Sequence, residues 1–109
     1  MKIQTKYTDD QIDKVRQEGF IYSCACPSQV SENIGNLRQL LKYENQCLIN
    51  EKISSDRKTH QIIAEAAQRA HDIMEQCLND VLIHEQWDME TLTMPEGLRK
   101  KIELAIGCD

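Results

Sequence analysis

The residues from Asp56 to Gln86 follow a helical apolar period that neither proline nor glycine interrupts. One stripe recurs at spacings of three and four residues, and it comprises Ile62, Ala66, Ala70, Ile73, Cys77, Val81 and His84. A second set of apolar residues widens this face, namely Ile63, Ala67, Met74, Leu78 and Leu82. Such a period is typical of an amphipathic α-helix, and a face this wide must contact more than one neighbour. The segment therefore predicts a long helix in an all-α fold.

A second long helix is predicted upstream, beginning at Pro27 or Ser28 and ending near Asn50. Its apolar stripe comprises Val30, Ile34, Leu37, Leu41 and Leu48, with Leu40 and Cys47 at its edges. Proline is favoured at the first helical position and serine is a common N-cap, so both helix starts remain open. Gly35 costs about 1 kcal/mol relative to alanine inside a helix. We interpret this glycine as a site where another helix approaches closely.

The connection between the two long helices is short, since only about four to six residues separate them. Such a short connection predicts an antiparallel helix hairpin. Both helices rise equally per residue, so positions whose numbers add to about 105 face each other. This register places Cys47 near His60, and it places Cys24 and Cys26 near the stretch from Cys77 to Leu82.

A short helix is predicted before the hairpin, from about Asp9 to Glu18. Thr8 and Gln11 have the spacing of a capping box, in which each side chain accepts a hydrogen bond from the other residue's backbone N–H group. Gly19 follows directly and is expected to end this helix in the left-handed conformation.

Another short helix is predicted after the loop Trp87–Met94, from Pro95 to about Ile106. Together the four segments predict a small up-and-down helical bundle. It is built on a long antiparallel hairpin from about Ser28 to Gln86, and the two short helices pack across that hairpin. The length of 109 residues predicts a single domain, residues 1–109.

The charge, the apolar runs and the cysteines of the chain indicate which partners and which compartment to expect. The net charge of −5 disfavours a nucleic acid, because non-specific affinity comes mainly from Lys and Arg on phosphates. No apolar run approaches the ~20 residues of a membrane-spanning helix. The first residues lack the apolar segment of a signal peptide. We therefore expect the chain to reside in a reducing cytoplasm. The five cysteines are odd in number and irregularly spaced, which predicts free thiols or a metal site and not a disulfide scaffold.

Cys24 and Cys26 lie directly before the second predicted helix. Unpaired backbone N–H groups and the positive end of the helix dipole favour thiolates at such a place. The hairpin register brings both cysteines towards Cys77. We therefore regard Cys24, Cys26 and Cys77 as candidates for a redox switch or a metal site, with a purely structural role as the alternative.

A metal site would need further ligands, and Asp80 and His84 are the weaker candidates for them. Tetrahedral zinc requires four ligand atoms that converge on one ion. His84 is seven residues from Cys77, which is about 10 Å along a helix axis, whereas Asp80 is only three residues away. The sequence leaves the identity of the metal, zinc or iron, open.

No Gly-rich phosphate loop, nucleophile elbow or catalytic triad order is found in the sequence. We therefore expect a non-enzymatic protein-interaction or regulatory module, without a cofactor, that presents a helical face to a protein partner or to a second copy in a homodimer. The alternative is a small cysteine-based redox sensor or a zinc- or iron-binding protein.

Overall fold

The computed structural model describes residues 5–21, 26–50 and 57–95. These residues form three helices: α1 (Asp9–Ile21), α2 (Cys26–Ile49) and α3 (Arg57–His84). The prediction of an all-α protein is confirmed. Both long helices lie within two residues of their predicted bounds. The predicted last helix, from Pro95 to Ile106, falls outside the described residues except for Pro95 itself.

The beginning of α1 is the predicted capping box. The backbone N–H group of Gln11 donates to Thr8 Oγ1 over 3.1 Å, and the N–H group of Thr8 donates to Gln11 Oε1 over 2.8 Å. The predicted end of this helix is wrong, because α1 continues through Gly19 to Ile21. Gly19 is buried, and none of the described glycines adopts the positive φ that would end a helix there.

The start of α2 and the end of α3 have identifiable local contacts. Ser28 is not the N-cap of α2, because the helix already begins at Cys26. The Ser28 hydroxyl donates instead to the carbonyl oxygen of Arg16 in α1 over 3.0 Å. Gln86 ends α3 with a φ of 62°. The N–H group of Gln86 donates to Ile83 and that of Trp87 donates to Leu82. This pair of bonds is a Schellman motif, which satisfies carbonyl groups at the helix end.

The three helices pack in a fixed order in which α2 contacts both α1 and α3. Arg38 in α2 lies against His71 in α3, while Glu44, further along α2, lies against the earlier His60. Since contacts move backwards along α3 as they move forwards along α2, these two helices run antiparallel. The pairing of Glu44 with His60 agrees with the register expected from the sequence.

The main core lies where α1, the first half of α2 and the second half of α3 meet. Its buried side chains are Tyr7, Ile12, Val15, Ile34, Leu78, Leu82, Trp87, Leu92 and Met94. Three of these come from the loop after α3, so this loop is part of the core. The backbone N–H group of Met94 donates to Glu18 Oε1 over 3.1 Å, which attaches the loop to α1.

Gly35 has a different environment from the predicted one. A Cβ atom added at this glycine would meet nothing within 4 Å. The interpretation of Gly35 as a point of close helix contact is therefore wrong, because open space lies beside it.

Candidate functional site

Two of the three cysteine candidates lie among the described residues. Cys26 is the first residue of α2 and is exposed, whereas Cys77 is partly buried on α3; both are free thiols. Asp80 and His84 are exposed on α3. Cys24 lies outside the described residues. Within the ranges that the structure describes, the three side chains that converge as potential metal ligands are different ones: His71, Asp72 and Glu75.

His71 and Glu75 belong to a buried polar network that is centred on Arg38 of α2. The guanidinium group donates from Nε to His71 Nε2 over 3.0 Å and from Nη2 to Glu75 Oε2 over 2.9 Å. It also donates from Nη2 to the carbonyl oxygen of Tyr7 over 2.6 Å and from Nη1 to Asp9 Oδ1 over 2.7 Å. One arginine thus joins α2 to α3 and to the segment that leads into α1.

Glu75 extends this network to the residues before α1. Its Oε2 atom accepts hydrogen bonds from the backbone N–H groups of Lys6 and Tyr7, at 2.8 and 3.0 Å. The Tyr7 hydroxyl donates to Asn79 Oδ1 over 2.8 Å. Burial, and then the negative charge of Glu75, raise the pKa of Tyr7. The phenol therefore stays neutral at physiological pH and can serve as this donor.

The geometry of the network argues against a metal ion at His71, Asp72 and Glu75. Since Arg38 donates to His71 Nε2, that nitrogen has no proton, and the neutral ring carries its proton on Nδ1. The Nδ1–H group faces Asp72 Oδ1 at 3.1 Å. A metal ion on Nδ1 would displace this proton and would lie close to a buried guanidinium cation. We conclude that the three residues form a structural network, in which the arginine supplies the positive charge.

The sequence analysis did not identify this network, although the sequence contains a signal for it. Arg38 lies four residues after Ile34 and three residues before Leu41, on the same stripe of α2. His71 continues the buried stripe of α3 in the same way, four residues after Ala67. Charged or polar residues at core positions must be paired when buried, so they point to partners across the interface.

The apolar stripe that the sequence predicted on α3 remains largely open among the described residues. We use the name "open stripe" for Ile62, Ala66, Ala70, Ile73, Cys77 and Val81. Ile62 is 55% exposed and Ile73 is 68% exposed, and none of the six side chains is fully buried. The buried face of α3 is another one, which comprises Ala64, Ala67, His71, Glu75, Leu78 and Leu82.

Helical geometry shows which way the open stripe faces. Ile73 is two residues from Glu75, which is a rotation of about 200° around the axis. Because Glu75 faces α2 and the segment before α1, the open stripe faces away from both. The stripe extends from position 62 to position 81, which is about 28 Å along the helix.

The other end of the α2–α3 pair has a second polar contact between the helices. His60 Nδ1 lies 2.5 Å from Glu44 Oε2. The nearby Cys47 is buried. A hydrogen bond with the Cys47 side chain raises the pKa of Tyr43, one turn earlier on α2. The residue of α2 that contacts His60 is Glu44, three residues before Cys47.

A groove of about 360 Å³ lies between α1 and α2, beside Gly35 and Ser31. Its charged side chains are largely engaged with one another: Arg16 pairs with Asp13 across 2.8 Å, and Arg38 pairs with Asp9. Four charged side chains of this groove are thus paired, in contrast to the apolar open stripe.

None of the helices in the described part of the chain is both long and apolar enough to cross a membrane. A comparison of the chain with known protein families, with curated proteins and with solved structures finds no match.

Proposed function

We propose that this chain is a non-enzymatic helical interaction module and that the open stripe of α3 is its binding surface. In this proposal the fold is an up-and-down bundle built on the α2–α3 hairpin, with the short helices packed across it. The observation that carries the proposal is the exposure of Ile62 and Ile73 on one side of α3. The net charge of −5 favours a protein over a nucleic acid as the partner, and the proposal places the interaction in a reducing cytoplasm.

The composition of the open stripe suits the docking of another helix. The large isoleucines at positions 62 and 73 are separated by the small residues Ala66 and Ala70, and a third small residue, Cys77, follows Ile73. Small side chains allow two helix axes to approach closely, and isoleucines on either side then fill the gaps. Burial of one isoleucine contributes about 1.5–3 kcal/mol, so two of them supply a useful part of a binding free energy.

Photo-crosslinking in cells tests this proposal. A photoreactive amino acid introduced at Ile73 is expected to form adducts with a bound protein, because Ile73 lies at the middle of the stripe. The same amino acid at Lys14, exposed on α1, is the matched control and should give no adduct. The additional substitution Ile62→Glu should abolish the adduct formed from position 73. Equal crosslinking from positions 73 and 14, or none from position 73, would refute the proposed surface.

The second candidate function is a redox sensor or a zinc- or iron-binding protein that uses Cys24, Cys26 and Cys77. The exposed, free thiol of Cys26 at the start of α2 favours it. Elemental analysis and thiol counting on freshly purified protein test this candidate. It requires stoichiometric metal, or a disulfide that joins Cys77 to Cys24 or Cys26. Metal-free protein with all thiols reduced, before and after mild oxidation, would exclude it.

A further inference from the structure

We infer that the open stripe binds a second copy of this chain, with the two α3 helices antiparallel about a two-fold axis between His71 and Asp72. This inference rests on the proposed function, since it names the partner of the same surface. Three observations support it: the order of large and small residues, the charges beside the stripe, and the position at which the described chain ends.

The order of residues makes the stripe complementary to itself. With the axis between positions 71 and 72, equal rise per residue sets Ala70 opposite Ile73 of the second copy. The same operation sets Ala66 opposite Cys77, and Ile62 opposite Val81. Each isoleucine near the axis thus faces an alanine, twice by symmetry, as ridges-into-grooves packing requires. A two-fold interface uses the same patch on both copies, which this stripe can provide.

The charges nearest the axis are also complementary. Arg69 and Asp72 are exposed on the same side of the stripe. In the antiparallel arrangement Arg69 of each copy lies near Asp72 of the other, so two opposite-charge contacts flank the axis. Further out, Asp80, which lies seven residues after Ile73 and on the same side of α3, approaches Glu65 of the second copy. Both side chains are exposed in the single chain, so salt weakens this like-charge repulsion.

The described residues end on a side of the molecule that is away from the stripe. Met94 is attached to Glu18 of α1 by its backbone N–H group, so the described residues end beside α1. The open stripe faces away from α1 and α2. None of the residues within 5–21, 26–50 and 57–95 therefore covers it, and its length of about 28 Å matches that of a second long helix.

Disulfide trapping with the variant Ala66→Cys tests the arrangement. The new thiol should lie opposite Cys77 of the second copy, and oxidation should give a dimer linked between positions 66 and 77. Within one chain these positions are about 16 Å apart along α3, too far for a disulfide, which needs Cα atoms within about 7 Å. Peptide mapping by mass spectrometry distinguishes this link from those of the other cysteines. Gln39→Cys, exposed on α2, is the control for random collision and should crosslink an order of magnitude less.

Each result decides between defined arrangements. A 66–77 link between chains supports the antiparallel dimer. A Cys77–Cys77 link in the unsubstituted chain would overturn this arrangement, because it requires either a parallel pair or a two-fold axis at Cys77. No link above the Gln39→Cys control would overturn the second copy as partner. In that case an adduct from Ile73 with a different protein would still support the proposed function, whereas the absence of any adduct would remove both.

Discussion

Arg38 Nη2 donates to Glu75 Oε2 over 2.9 Å, and the two side chains are only 5% and 2% exposed. A charge at this depth is stable only when it is paired and hydrogen-bonded. The guanidinium group meets this requirement with acceptors from α3 and from the segment before α1. The contact between Arg38 and Glu75 therefore fixes how three parts of the chain are arranged, and it positions the open stripe on the opposite side of α3.

Removal of the arginine should destabilise the protein strongly. Arg38→Met leaves the Glu75 carboxylate buried without its cation, and breaking a buried pair in this way costs about 3–5 kcal/mol. The double variant Arg38→Met/Glu75→Gln should recover part of this loss, because the amide oxygen of the introduced glutamine can still accept from Lys6 and Tyr7 and carries no charge. Urea unfolding monitored by circular dichroism measures both. Equal stability of the single variant and the wild type would contradict the role of the network.

Replacement of Gly35 should stabilise the protein. Gly35→Ala adds a Cβ atom that meets no neighbour within 4 Å, in the interior of α2. Alanine is favoured over glycine at such a position by about 0.5–1 kcal/mol. The midpoint of urea unfolding should rise accordingly. Gln39→Ala, one turn later on the same helix, is the control and should have a smaller effect; a lower midpoint for Gly35→Ala would show a close contact at this site.

Asp88 should contribute stability that depends on pH. Its Oδ1 atom accepts hydrogen bonds from the backbone N–H groups of Glu90 and Thr91, at 2.9 and 3.0 Å. Both hydrogen bonds lower the pKa of Asp88 in the folded protein, and the bond from Thr91 has the larger effect. The unfolded state therefore binds the proton more readily, so this contribution is present above the ordinary aspartate pKa and is lost as the pH falls through the lowered value.

Two substitutions separate the charge of Asp88 from its hydrogen bonds. Asp88→Asn keeps an acceptor oxygen, so it should retain most of the stability at neutral pH and lose this acid-dependent component. Asp88→Ala removes the acceptor and should lower the melting temperature at neutral pH. Melting curves at neutral and acidic pH measure both effects. Identical pH profiles for the wild type and Asp88→Asn would contradict this explanation.

The sequence predicts the local features of this fold well, because they depend on neighbouring residues. The capping box of Thr8 and Gln11 and the bounds of α2 and α3 are local in this sense. Gly19 shows the limit of such reasoning, since α1 continues through a glycine that has the right position for a helix end. At this end of α1, Glu18 accepts a hydrogen bond from Met94, a residue distant in sequence, and the helix is longer than the local sequence predicts.

The site is harder to predict than the fold, because it depends on which of two adjacent stripes of α3 faces α2. The sequence shows a wide apolar face that includes both Ile73 and Leu78, and only the packing makes Ile73 exposed and Leu78 buried. The polar residues decide this choice: His71 and Glu75 share the buried side with Leu78, since Arg38 lies opposite them. The proposed roles of Cys24, Cys26 and Cys77 stay predictions.

Sedimentation velocity tests most directly whether the open stripe pairs two copies of the chain. Three purified chains are compared: the wild type, Ile73→Glu and Ile49→Glu. Ile49 is 75% exposed at the end of α2 and lies off the stripe, so it is the matched control. We expect the wild type and Ile49→Glu to sediment as dimers at high concentration and Ile73→Glu to sediment as a folded monomer. A wild type that stays monomeric, or an Ile73→Glu variant that associates like the wild type, would contradict this account.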